Sequence, residues 1–278
     1  MANLRKIRSH IKSVQNTQQI TKSMKMVAAT KLRRTQTAFG PLRSFAEKSG
    51  AILAHVCGGE TDNVYLTPHP ESKTVCYVLI VGNRGLCGTY NTALLRYLEE
   101  LAAKEERESF LVVAGRWGKD MIQTLGLPVR RSFEISDTPD SAEARELSAY
   151  LRELYRDGEA DEIVLVYQQF KSVLQQEPTA RTLLPLKLPE GGEKSDVILE
   201  PDEKSVLDRL VELVLQNTVH SVLLEGRTGE HAARMTAMTS ASDNTEELIA
   251  ELTLELNHAR QAAITTEISE IVGGAAAI

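Results

Sequence analysis

Met235–Ala263 reads MTAMTSASDNTEELIAELTLELNHARQAA, and this stretch decides the fold. Small or apolar side chains recur in it at Met235, Met238, Ser242, Thr245, Ile249, Leu252, Leu256, Ala259 and Ala263, in steps of three and four without a slip. That is the a/d seam of a left-handed coiled coil, because such a repeat keeps one stripe of a helix facing a partner. No proline occurs from Asp202 to the C-terminus or from Ala2 to Gly40; all nine lie from Pro41 to Pro201. The N-terminal stretch starts the same way, with Leu4, Ile7, Ile11 and Val14, and continues less cleanly through Ile20, Met24 and Val27. Two helices far apart in sequence, each with one apolar seam, are most simply satisfied by each other. The reading is a long antiparallel coiled coil made of the first and last segments. A helix over 202–272 would span ~105 Å at ~1.5 Å per residue. Globular helices run to ~10–14 residues, so this rod must reach across something or be buried in it.

Charge favours the same pairing. The formal net charge of −6 hides an asymmetry: no acidic residue precedes Glu47, while Arg5, Lys6, Arg8, Lys12, Lys22, Lys25, Lys31, Arg33, Arg34 and Arg43 do. The C-terminal helix reverses this, with Asp243, Glu246, Glu247, Glu251, Glu255, Glu267 and Glu270 against Arg260. Each surface pair is worth little. The unbalanced basic face from Lys22 to Arg34 points to an acidic partner.

Composition is that of an ordinary soluble protein. No apolar run approaches the ~20 residues of a membrane span, and the start, MANLRKIRSHIK, lacks the apolar core of a secretory signal. It reads as mature protein. Cys57, Cys76 and Cys87 form no CxxC motif; Cys76 and Cys87 read as buried thiols, which suits a reducing cytoplasm.

The middle of the chain changes period. The N-terminal helix runs toward Val56, with a kink expected at Gly40-Pro41, since proline removes one helical hydrogen bond and clashes with the turn before it. Cys57-Gly58-Gly59 and the Pro68/Pro70 pair make a linker. Thr74–Val81 is a near-continuous apolar run, the mark of a strand buried on both faces. Helices over 91–106, 119–125 and 141–156 alternate with strands over 110–114, 129–135, 162–167 and 179–186. Asp140 is placed to cap the third of these helices. Alternation of this kind gives a Rossmann-like α/β domain with a mostly parallel sheet. The fold class is thus α/β plus a long α-helical coiled coil, divided as 1–60, 70–195 and 202–278. Asp202 can cap the last helix, in which Gly226 and Gly229 each cost about 1 kcal/mol relative to alanine and mark a place to bend or break.

Catalytic motifs are wanting. The loop Gly82–Gly88 sits between a strand and a helix, where nucleotides bind, but its spacing is GxxGxxG and no lysine precedes Thr89. It reads as a tight strand-to-helix turn. His220 and His231 lie too far apart along a helix to share a metal. No GxSxG elbow or acid/base pair occurs. Taken alone the chain is expected to be non-catalytic, with no cofactor and no metal.

The segments IRSHIKSVQNTQQITKSMKMVAATKLRR (Ile7–Arg34), NRGLCGTYN (Asn83–Asn91), EHAARMTAM (Glu230–Met238) and ARQAAITTEISEIVGGAAAI (Ala259–Ile278) resemble the γ-subunit family of the F-type ATP synthases, in the family's order. The resemblance implies a rotor. Its coiled coil would turn inside a ring of three α and three β subunits. Its α/β domain would grip the membrane c-ring together with the ε subunit. By the same resemblance Arg260 and Gln261 match a pair that bonds a loop of β, and Thr265 lies one turn beyond on the face of Gln261. Met24 and Lys25 match the N-terminal site that couples shaft to β. Arg234 matches a charged residue tied to the N-terminal helix region. Ala275, Ala276, Ala277 and Ile278 match a tip held in an apolar sleeve. The family usually carries Asp at Asn83 and Gly at Thr89, and Gly226 and Gly229 look out of place in a rotor helix. The cysteine-bearing insertion of chloroplast forms is absent, which points to the cytoplasmic face of a bacterial cell membrane. Two other readings compete. A nucleic-acid-binding coiled coil would use the basic N-terminal helix but lacks interleaved aromatics. A nucleotide-binding α/β enzyme would use the glycine loop.

Overall fold

The computed structural model describes residues 2–57, 63–187, 200 and 202–276. In chain order it contains α1 (Ala2–Cys57), β1 (Thr74–Ile80), α2 (Tyr90–Ala102), β2 (Glu108–Ala114), α3 (Lys119–Gln123), β3 (Val129–Phe133), α4 (Ser141–Arg156), β4 (Glu162–Phe170), β5 (Gln176–Leu184) and α5 (Glu203–Ala276). The chain divides into two compact units, one over Ala29–Arg234 and one joining the residues up to Ala28 to those from Met235 onward.

The larger unit is built on a five-stranded sheet of order β3-β2-β1-β4-β5. β1 pairs in parallel with β2 and β4, β2 in parallel with β3, and β5 closes the edge antiparallel to β4. The mostly parallel sheet expected from the apolar runs is therefore present. β1 shows why the run is continuous: its side chains alternate between two cores. Cys76, Val78 and Ile80 pack with Leu147 and Leu151 of α4 and Leu215 and Leu223 of α5. Val75, Tyr77 and Leu79 pack with Leu94 and Leu98 of α2. Cys76 and Cys87 are buried, as expected. Asp140 caps α4 in a full capping box with Glu143, and Asp202 Oδ1 accepts the Ser205 amide at 2.9 Å at the start of α5.

Neither of the two expected interruptions ends its helix. α1 runs through Gly40 and Pro41 without ending. Both residues are exposed, so water can take the hydrogen bond that the proline ring removes. α5 likewise runs unbroken through Gly226 and Gly229, for a packing reason given below.

In the smaller unit the α5 seam is as read. Met238, Ser242 and Leu252 are buried, Met235 is half-buried, and Thr245, Ile249, Leu256, Ala259 and Ala263 are half-buried among exposed neighbours. On α1 the seam begins at Leu4, Ile7, Ile11 and Val14 and keeps Met24 half-buried, but Ile20 and Val27 depart from it. Ile20 and Val27 are 60% and 56% exposed. Gln18, Thr21 and Ala28 carry the seam on instead. Helical spacing, not hydrophobicity, decides which side chains face inward.

Candidate functional site: a caged carboxylate beneath the glycine loop

The residues after β1 close over one carboxylate of α5. Glu230 is 1% exposed. Its Oε2 accepts the Asn83 amide at 3.1 Å and Arg227 Nη1 at 2.8 Å. Its Oε1 accepts the Arg84 amide at 3.3 Å and Arg234 Nη2 at 2.6 Å. Arg227 and Arg234 stand one turn to either side of Glu230 on α5, so helical geometry brings both guanidiniums to the same carboxylate. Their other donors bind loop carbonyls. Arg227 reaches Val81 at 3.1 Å and Ser136 at 3.1 Å; Arg234 reaches Gly85 at 3.2 Å and Arg84 at 3.0 Å. Burial alone would raise the Glu230 carboxyl, but Arg227 and Arg234 outweigh it and hold it below the ordinary value.

A second ring of contacts ties this cage to α1. Asn83 Oδ1 accepts Arg227 Nη2 at 2.9 Å, and its Nδ2 donates to Ile135 O at 2.7 Å and Asp137 Oδ1 at 3.2 Å. Asp137 Oδ2 pairs with Lys31 Nζ at 2.5 Å. Burial raises the Asp137 carboxyl, yet bonds from Lys31 and Asn83 bring it down to about 2. His231 approaches the Asp137 carbonyl at 3.3 Å, and burial lowers its imidazole. His220 reaches the Pro139 carbonyl at 3.0 Å, so each histidine is engaged with backbone.

Gly226 and Gly229 make this approach possible. A Cβ on Gly226 would lie 3.1 Å from Ile80 Cγ2, and one on Gly229 would lie 3.1 Å from Tyr90 Cε2. Tyr90 OH donates to the Gly226 carbonyl at 2.6 Å. The two glycines are close-approach positions rather than breaks, and they bring α5 down onto β1 and the start of α2. Gly82 serves the same end, since its Cβ would stand 3.0 Å from Glu230 Cδ. The loop is thus more than a tight turn.

The arrangement holds; it does not react. Both Glu230 oxygens are engaged by amides and guanidiniums, so the carboxylate has no free geometry for proton transfer. Among the described residues no group of three His, Cys, Asp or Glu side chains is placed to hold a metal. A cavity of about 540 Å³ beside α3, lined by Val113, Ile122, Leu127 and Val129, offers no charged side chain.

The residues singled out from sequence fall in different places. Arg234 belongs to the buried cage. Met24 is half-buried and, with Asn16, Gln19, Ile20 and Ser23, lines a shallow groove of about 470 Å³ in the smaller unit. Lys25, Arg260, Gln261 and Thr265 are exposed, and Thr265 Oγ1 donates to the Gln261 carbonyl at 3.0 Å. Ala275 and Ala276 end α5, and Ala277 and Ile278 lie outside the described residues. Arg227 and Glu230 were not singled out as site residues. Their signal was a Glu flanked by Arg at −3 and +4 in a helix that also carries two glycines three apart.

A family model described as ATP synthase matches residues 3–278. The chain is 42% identical over 281 residues to the ATP synthase gamma chain of Desulfitobacterium hafniense, covering 100% of both. It is 41% identical over 281 residues to that of Moorella thermoacetica, again over 100% of both. Among solved structures, the rotor of Euglena gracilis mitochondrial ATP synthase aligns with a TM-score of 0.68 at 22% identity, covering 95% of this chain and 99% of that one. The corresponding OSCP/F1/c-ring structure gives 0.70 at 20% identity, covering 99% and 94%. At these identities the structures speak to the fold, which they share. The sequence likeness runs the full length of both partners, and by it the chain belongs to the ATP synthase gamma chain family.

Proposed function

We propose that this chain is the central stalk subunit of an ATP synthase. It couples ion flow through a membrane ring to conformational cycling of catalytic subunits around it. The observation that carries this reading is the 42% identity over the whole of both chains to a gamma chain. The chain's own chemistry fits. Its long helices present a repeating seam, and the buried charge cluster around Glu230 is closed to substrate. In this reading the chain is non-catalytic and works by shifting its neighbours among conformers.

The partners in this reading are three α and three β subunits, the ε subunit and the c-ring. Exposed Lys25, Arg260 and Gln261, with Met24 and Thr265 beside them, are the proposed contacts to β. Ala275–Ile278 is the proposed sliding tip. No helix among the described residues is long and apolar enough to cross a membrane, and a peripheral place at the cytoplasmic face of a bacterial membrane is part of the proposal. Arg234, which bonds the Gly85 and Arg84 carbonyls, is proposed to act in coupling through the glycine loop.

The nucleotide-binding alternative loses its site, because the loop amides that would face a phosphate are taken by Glu230. The nucleic-acid alternative gains no support from the gamma chain relatives. Co-expression with α and β subunits of a bacterial ATP synthase tests the proposal. The chain should co-purify in a complex whose ATP hydrolysis depends on it. Recovery of α and β without the chain, at undiminished multi-site turnover, would overturn the reading.

A further inference from the structure

Open α/β sheets take their ligands at the carboxyl ends of the strands, where the strand order reverses. Here that point lies between β1, which leads to β2 on one side, and β4 on the other. In the loop after β1, two successive backbone amides, of Asn83 and Arg84, reach one carboxylate, at 3.1 Å on Oε2 and 3.3 Å on Oε1. Successive amides turned toward one anion form the concavities that hold anions. Two guanidiniums complete the set, Arg227 at 2.8 Å and Arg234 at 2.6 Å. The occupant of this four-donor site is a side chain of the same protein.

We infer that Glu230 acts as an internal ligand: its carboxylate fills an oxyanion site of the α/β domain that would otherwise take a small carboxylate. The inference concerns the chain alone and stands or falls independently of the rotor reading. Each Glu230 oxygen receives one amide and one guanidinium, the pairing a free carboxylate would receive. The two guanidiniums also have bonds that do not involve the guest. Arg227 keeps its bonds to Val81, Ser136 and Asn83, and Arg234 keeps those to Gly85 and Arg84. Removing the guest would leave two guanidiniums, 2% and 8% exposed, without their counter-charge. Buried charge without a partner is strongly unfavourable, so the emptied cage should recruit an anion. The absence of a Cβ at Gly82 fits the same purpose, since it leaves room for a carboxylate carbon.

The test is small-anion rescue in the full chain. Glu230→Ala removes the guest, and its stability is compared in formate and in chloride at equal ionic strength and pH 7. Expected is a variant less stable than wild type in chloride that recovers saturably in formate. The folded-to-unfolded ratio should rise about tenfold once formate reaches about ten times its dissociation constant. Wild type should show no formate-specific gain. Glu230→Gln keeps the cage filled but uncharged, and should be destabilised without responding to formate. If Glu230→Ala does not fold in chloride, folding in formate supports the inference. Failure to fold in either anion contradicts it, as does a formate gain no larger than that of wild type. An equal gain in Glu230→Gln would also overturn it, since the effect would then be general screening.

Discussion

Asp137 makes the acid sensitivity of the loop network measurable. Its folded value of about 2 lies below the ordinary value of about 3.9. A depressed carboxylate contributes stability that is present above about pH 4 and lost as pH falls through about 2. Asp137→Asn should therefore be less stable than wild type at pH 7, with a shallower loss between pH 4 and 2. Denaturant midpoints across that range check this, and parallel acid limbs would contradict it. Arg260 and Gln261 carry the opposite kind of prediction. Both are exposed on α5, so replacing both with alanine should change stability by no more than about 0.5 kcal/mol. If they meet a moving loop of β, the double variant should still assemble while multi-site hydrolysis and synthesis fall severalfold. Full turnover in an assembled complex would remove them from the coupling path. At this scale sequence is a poor guide to burial. Arg227 drew no reading and Arg234 was marked by resemblance alone, because nothing local to either announces the loop carbonyls and the carboxylate that they meet.

The elements were more legible, and their misreadings have physical causes. Strands with continuous apolar runs announced themselves because both faces of the sheet are covered. The capping signals at Asp140 and Asp202 fixed two helix starts. The seam of α1 was partly hidden because it passes through Gln18 and Thr21 while Ile20 and Val27 face outward. Gly226 and Gly229 were read by helix propensity, which says nothing of a tyrosine approaching from another element. That approach predicts a sign. Gly229→Ala should raise helix propensity by about 1 kcal/mol. Its methyl would stand 3.1 Å from Tyr90 Cε2, and Tyr90 is buried and anchored at Gly226. Overpacking at such a site costs about 1–3 kcal/mol, so the net effect should be destabilising, and adding Tyr90→Leu should relieve it. Chemical denaturation of single and double variants decides, and a more stable Gly229→Ala would show that the contact yields. The pairing of the smaller unit is open to a cysteine scan. With one cysteine at Val14, partners at Ile249, Leu252 and Leu256 should give an intramolecular disulfide at one position if the helices run antiparallel. No crosslink at any neighbouring register would contradict the paired shaft.

For the whole molecule, the order of segments said most. A helix, an alternating α/β middle and a second long helix already implied a rod with a domain inserted between its strands. The opposed charges of the two ends pointed the same way. What a single chain does not encode locally is the identity of the surfaces it turns against, since those contacts are formed by other subunits. The relationship to gamma chains supplies the expected neighbours, and the chain's exposed face supplies the handle. Leu174, in the turn between β4 and β5, is 83% exposed, and a cysteine there can carry a probe on the α/β unit. The most direct measurement fixes the α and β subunits of the assembled complex to a surface and watches that probe while ATP is hydrolysed. The account predicts stepwise rotation in one direction that stops when ATP is withdrawn. A probe that stays still while the same complex turns over ATP would contradict it.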